Sequence, residues 1–201
     1  MSSKVEFLFD FASPNAYLSY HVLQEVAARQ GAELVLTPVL LGGLFKLTNN
    51  QAPMLAFGEV KGKLEYDMLE TQRFIEAHGL NNFVFNPHFP INTITLMRGF
   101  IAAQEMEAVD QYVEANLSAM WEQGLNMGGP DVAAGVWQAA GLDAAGLAEA
   151  IQTQPVKDAL LQNAQQAADR GAFGVPTFFV GDEMFFGKER IIQIEQMLQS
   201  S

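Results

Sequence analysis

The chain has 201 residues, 49% of them hydrophobic, and a formal charge of −12 at pH 7. That length and apolar content suit one globular domain with a buried core and exclude a disordered segment, while negative charge without a basic cluster argues against a nucleic-acid backbone as partner. No apolar run approaches the roughly 18 residues of a spanning helix, the N-terminus reads as neither signal peptide nor anchor, and the absence of cysteine excludes disulfides, thiolate metal sites and cysteine nucleophiles, compatible with the expected cytoplasmic location.

Residues 5–11 read as a buried strand, and Ser13-Pro14 behind them is a helix start. Serine is a favoured N-cap, and proline suits the first helical position because its missing N–H had no partner there. The helix carries Ala16, Tyr20, Leu23 and Ala27 on one face and stops at Gly31, where a glycine closes it. Residues 33–39 are a second strand; strand, helix and strand this close together imply a parallel βαβ unit. From about residue 63 to 150 apolar residues recur at helical spacing, as in Met68, Leu69, Phe74 and Ile75, then Ile94, Met97 and Ile101, then Tyr112, Leu117 and Trp121. Gly128-Gly129-Pro130-Asp131 and Gly141-Leu142-Asp143 interrupt this stretch as loops with N-caps. Residues 155–170 are one more helix, ended near Gly171. Residues 177–180 and 183–186 flank a Gly181-Asp182 turn as a hairpin, and an amphipathic helix follows through Ile191, Ile194 and Leu198.

Ser13 at a helix start and Gly174-Val175-Pro176-Thr177 before a strand look like the two halves of a thioredoxin-type active site, where a sulfur-handling group faces a loop ending in cis-proline. Local sequence alone accounts for Ser13 as a plain N-cap. Serine in place of cysteine cannot do dithiol chemistry, yet a hydroxyl at a helix N-terminus favours the thiolate of a bound thiol and lowers its pKa. Pro176 is either an ordinary turn proline or a cis-proline that leaves the Val175 backbone free for a peptide-like ligand; its place before a buried strand favours the second. Lys46, Lys61 and Lys63 are in the simplest reading solvated charges. An acidic protein that holds an anion nevertheless needs a local positive pocket, and Lys46 with Lys61 sits on the loop leaving the second strand toward Ser13. Asn92 is either the N-cap of a helix starting at Thr93 or a site residue, and Phe83, Phe85 and Phe89 are either core or substrate wall. His21, His78 and His88 are scattered without ligand spacing, so no metal site is expected.

The order of elements and motifs resembles the 2-hydroxychromene-2-carboxylate isomerase and kappa-class glutathione transferase family, on the DsbA-like branch of the thioredoxin fold. The similarity runs over nearly the whole chain. It rests on Phe9-Asp10-Phe11-Ala12-Ser13-Pro14, on Lys46 and Asn50-Gln51-Ala52-Pro53, on Asn86-Pro87-His88-Phe89-Pro90-Ile91-Asn92-Thr93 followed by Met97-Arg98, on residues 172–177, and on Phe186-Gly187-Lys188-Glu189-Arg190. Each piece is weak alone; their order and spacing together are specific. The family commonly has Ser or Asn and then Asp where this chain has Lys188 and Glu189.

The resemblance implies an α/β thioredoxin-like fold (βαβ…ββα) of the DsbA and kappa-transferase type. It implies a single domain over residues 1–201, with the thioredoxin-like part at about 1–60 and 155–201 and an all-helical insertion at about 61–154. The implied activity is glutathione-dependent interconversion of 2-hydroxychromene-2-carboxylate and trans-o-hydroxybenzylidenepyruvate in aromatic hydrocarbon breakdown, in a cytoplasmic homodimer. Ser13 would be the catalytic group. Ser13, Asn50, Lys61, Val175, Pro176, Gly187, Lys188 and Glu189 would bind glutathione, and Lys46, Phe89 and Asn92 the aromatic acid. Lys188 is left between a contact to the γ-glutamyl carboxylate and a place in solvent, and Glu189 would offer a carboxylate from one methylene further out. A kappa-type transferase and a thioredoxin-like peptide-binding module without turnover are the alternatives.

Overall fold

The computed structural model describes residues 3–200. The chain opens with β1 (Lys4–Phe9), α1 (Pro14–Gln30) and β2 (Glu33–Pro38), with β2 parallel to β1 and Val5 opposite Leu34. Local chemistry directs α1: Ser13 is extended at φ −95° and ψ 115°, its side chain accepts the Ala16 N–H, Pro14 sits in the first turn, and Gly31 ends the helix at φ 62°. That left-handed conformation costs little only where there is no Cβ.

Between β2 and the C-terminal hairpin run α2 (Leu41–Thr48), α3 (Pro53–Ala56), α4 (Lys63–His78), α5 (Ile94–Glu105), α6 (Val109–Trp121), α7 (Pro130–Ala139), α8 (Ala144–Ala150) and α9 (Gln154–Asp169). β3 (Thr177–Val180) and β4 (Glu183–Phe186) then pair antiparallel, and a 3₁₀ turn at Lys188–Arg190 leads into α10 (Ile191–Gln199). β3 also runs antiparallel to β1, with Phe178 opposite Phe7, so the four-stranded mixed sheet has the order β2-β1-β3-β4.

Successive strand residues face opposite ways, so the sheet carries a core on each side. Phe7 and Phe9 of β1 and Phe178 of β3 enter the larger one with Leu23 of α1, Phe100 of α5, Trp121 of α6 and Ile194 of α10. Leu8 and Phe179 point the other way and join Val39, Leu44 of α2, Ala164 of α9 and Val175. A Cβ on Gly99 of α5 would lie 2.1 Å from the Tyr112 hydroxyl of α6, which donates to the Leu96 carbonyl at 2.8 Å. Among the described residues no helix is long and apolar enough to cross a membrane.

Three local expectations are corrected. The first strand ends at Phe9 instead of Phe11, because Asp10 turns its carboxylate onto the Ala12 N–H at 2.9 Å and the Phe11 carbonyl accepts the Trp121 indole N–H at 2.9 Å. Lys46 lies on a helix, α2, and not on a loop. Gly42 and Gly43 hide that helix in the sequence, each disfavouring it by about 1 kcal/mol, and burial of Leu44 together with an Asp10 bond to the Leu41 N–H offsets them. α5 starts at Ile94 with Thr93 in the capping position, where its hydroxyl goes to Asp10; Asn92 instead accepts the Ile94 N–H at 3.0 Å.

Candidate functional site

At the end of β1 the Ser13 N–H donates to the Asp10 carbonyl at 3.1 Å, and this turn sets Ser13 at the N-terminus of α1. Ser13 Oγ accepts the Ala16 N–H at 3.1 Å and donates to the Val175 carbonyl oxygen at 3.5 Å; the residue is 6% exposed. The Val175–Pro176 bond is cis, as the sequence reading expects. Thr177 Oγ1 braces this loop by donating to the Gly174 carbonyl at 2.7 Å, and the Gly187 N–H does so by donating to the Pro176 carbonyl at 3.0 Å. A Cβ on Gly174 would meet the Phe186 ring at 3.1 Å, so the loop packs closely on β4. A hydroxyl and the positive end of a helix thus meet the Val175 carbonyl; the first two can favour a thiolate over the thiol, and the carbonyl can accept an N–H.

Asn50, after α2, donates from Nδ2 to the Phe173 carbonyl at 2.8 Å, tying its loop to the chain just before Gly174; its Oδ1 accepts the Gln51 N–H at 2.8 Å. Lys46 on α2 and Lys61 in the turn before α4 are exposed, and neither forms an ion pair among the described residues. Lys63 pairs with Asp67 and lies over the Phe57 ring at 5.4 Å.

Lys188 does not face solvent. It is 4% exposed, with Nζ 2.5 Å from Glu189 Oε1 and 5.5 Å above the Phe74 ring of α4. The Glu189 side chain is 54% exposed, so the pair presents its carboxylate outward and its ammonium inward. Of the lysines assigned to the site from the sequence, Lys46 and Lys61 are exposed and Lys188 is not, and Glu189 already shares its charge with an internal partner.

The 86–93 loop is pinned by Asn86, which is buried and donates from Nδ2 to the carbonyls of Met120 at 2.7 Å and Leu125 at 2.9 Å. Phe89–Pro90 is a second cis bond, which the sequence reading does not anticipate. Phe83 stacks on Trp121 at 5.9 Å between ring centres, and Phe85 and Phe89 approach that indole at 6.1 and 6.2 Å. Trp121 anchors this aromatic group beside the Ser13 turn through its bond to Phe11. Phe89 is half-buried, Phe85 and Asn92 are exposed.

Asp10 enters the sequence reading only as part of a motif, and it organises the site. It is 1% exposed; Oδ1 accepts from the Ala12 N–H at 2.9 Å and the Thr93 hydroxyl at 2.7 Å, and Oδ2 from the Leu41 N–H at 2.7 Å. Burial raises its pKa above the ordinary carboxylate value, while these three bonds pull it back. A carboxylate between two phenylalanines at a strand end was the available signal, since a buried charge must find partners.

Comparison with known proteins places these features in a lineage. A 2-hydroxychromene-2-carboxylate isomerase of Pseudomonas putida is 26% identical over 96% of this chain and 93% of its own. The rat glutathione S-transferase kappa 1 is also 26% identical, over 96% of this chain and 90% of its own. A solved structure of a 2-hydroxychromene-2-carboxylate isomerase superposes with a TM-score of 0.85 at 26% identity, covering 98% of this chain and 95% of that one. The fold is accordingly a DsbA-like thioredoxin fold with a mixed four-stranded sheet. The family model described as a DSBA-like thioredoxin domain matches residues 4–199, and the chain belongs to that family.

Proposed function

We propose that this chain is a glutathione-dependent isomerase that interconverts 2-hydroxychromene-2-carboxylate and trans-o-hydroxybenzylidenepyruvate. One observation carries the reading: in a chain without cysteine, the Ser13 hydroxyl stands at the N-terminus of α1 against the Val175 backbone. The names of the bacterial relatives supply the reaction class, and the kappa relatives support the cofactor.

The donor set fits a thiol tripeptide, with a hydroxyl and helix N-terminus for sulfur and loop backbone at Val175 for a peptide unit. Asn50, Lys61, Gly187 and Glu189 complete the proposed cofactor site, while Lys188, its ammonium turned inward, acts there only by holding Glu189. When bound, glutathione supplies a nucleophilic sulfur whose reversible addition to the conjugated double bond frees that bond to rotate. Ser13 donates its proton toward the sulfur in place of the Val175 carbonyl, and the α1 dipole adds positive potential there. Burial of Ser13 excludes water and strengthens both effects. Lys46 pairs with the substrate carboxylate, while Phe89, with Phe85 beside it, and Asn92 border the aromatic ring.

The same reading puts the protein in the cytoplasm as a homodimer. α3 and α4 support the assembly, since Leu55, Tyr66 and Leu69 are 72%, 54% and 47% exposed, and Tyr66 and Leu69, three positions apart, share a face of α4 that a partner copy would cover. The second reading, a kappa-type transferase, is favoured by the rat and human relatives. Ultraviolet monitoring of the chromene acid with and without glutathione decides between them. Isomerisation only with glutathione supports the proposal; conjugation of electrophiles without isomerisation supports the transferase; retention of neither activity leaves a binding module and contradicts both.

A further inference from the structure

The three donors to Asp10 come from three different parts of the chain. Ala12 belongs to the turn that carries Ser13, Leu41 is the first residue of α2, which carries Lys46, and Thr93 precedes α5 and ends the loop that carries Phe89 and Asn92. The carboxylate is the common acceptor of all three segments. A carboxylate accepts without offering a donor in return, which no amide or hydroxyl of that size does. We propose that Asp10 is a positioning residue that locks the Ser13 turn, α2 and the start of α5 into one unit, fixing the thiol-binding group relative to the groups that hold the aromatic acid. The inference rests on the isomerase reading for its kinetic consequence and on geometry alone for the coupling itself.

Asn at position 10 keeps the shape but has one acceptor oxygen. With that oxygen toward Ala12 and Thr93, its NH₂ opposes the Leu41 N–H and releases α2. The Leu41 donor can also be deleted without touching Asp10. Proline is tolerated at the first position of a helix, and Leu40 at φ −68° and ψ 109° already has the extended conformation that precedes proline.

Hydrogen exchange tests the coupling. In Thr93→Val, exchange at the Leu41 amide should quicken roughly tenfold or more, because Thr93 and Leu41 share the acceptor Asp10, and Thr93→Ser should restore it. Unchanged exchange at Leu41 overturns the coupling. Steady-state kinetics test its consequence: Asp10→Asn and Leu41→Pro should each raise KM for the aromatic acid by roughly two- to fivefold, as far as loss of the Lys46 pairing itself does, with kcat nearly kept. A purely structural Asp10 would lower Tm and leave both constants of the folded enzyme unchanged, which overturns the proposal. If Asp10→Asn fails to fold, Leu41→Pro and Thr93→Val carry the test. Absence of glutathione-dependent turnover in the wild type would remove the isomerase reading instead, and the exchange result would still decide the coupling.

Discussion

The Ser13 hydroxyl lies 3.5 Å from the carbonyl oxygen of Val175, a residue 162 positions further along the chain. Ser13 Oγ also accepts the Ala16 N–H, so both the donor and an acceptor site of the hydroxyl are engaged within the protein. In the proposed reading, a bound sulfur would take the proton that Val175 now receives and would leave that carbonyl open to an N–H of the ligand.

Ser13→Cys places one cysteine in a chain that has no other. Oxidised glutathione should then be cleaved at this site: the introduced thiolate attacks one sulfur, a mixed disulfide forms, and one glutathione thiolate leaves. Intact mass spectrometry should find a single adduct. An unmodified protein after treatment with oxidised glutathione would put the thiol site elsewhere.

Lys46 is exposed, so the pairing proposed for it with the substrate carboxylate would be screened by solvent. Lys46→Met should raise KM for the aromatic acid about two- to fivefold, in keeping with the roughly 0.2–1 kcal/mol of an exposed ion pair. The wild-type KM should rise with ionic strength and the variant's should not. Equal salt dependence in both would remove Lys46 from the site.

The Lys188–Glu189 pair is asymmetric in burial, 5% against 54% exposed for the two side chains. Glu189→Gln leaves the buried ammonium without its contacting carboxylate, with Glu70 of α4 as the remaining negative charge it acts on, whereas Lys188→Met leaves a carboxylate that water reaches. Urea titration should show Glu189→Gln to be the more destabilising, by about 1–3 kcal/mol, with most of the loss recovered in the double variant. The reverse order would mean that the ammonium is hydrated.

Asp10 has a folded-state pKa above its unfolded value because burial disfavours its charge. Between those two values the native state holds more protons than the unfolded chain, so this group's contribution to stability falls as pH rises through that window and is flat above it. The stability of the wild type relative to Asp10→Asn should therefore decline from acid toward neutral pH. A difference that grows with pH would show that the three bonds outweigh burial.

Local signals made much of the architecture legible. The cap at Ser13, Pro14 in the first turn, Gly31 at the end of α1 and the two-residue Gly181-Asp182 turn each act within a few positions, and each stands where the sequence reading has it. The α2 helix was not legible, because Gly42 and Gly43 oppose it locally and its support comes from Asp10 across 31 positions. Distance in sequence hid the site's organisation in the same way. Trp121 bonds to Phe11 across 110 positions and Thr93 to Asp10 across 83, and neither partner has a spacing that announces the other. The burial of Lys188 depends on α4 passing over it, which no pattern around residue 188 records.

The ionisation of glutathione bound to the protein tests the central role of Ser13 most directly, and thiolate absorbance in the ultraviolet reads it. On the wild type the thiol should titrate well below the free value of about 8.5, and Ser13→Ala should raise that midpoint by about 1–2 units, the worth of a lost hydrogen bond to a charged acceptor. A bound thiol that titrates at the same pH in both proteins would contradict the account.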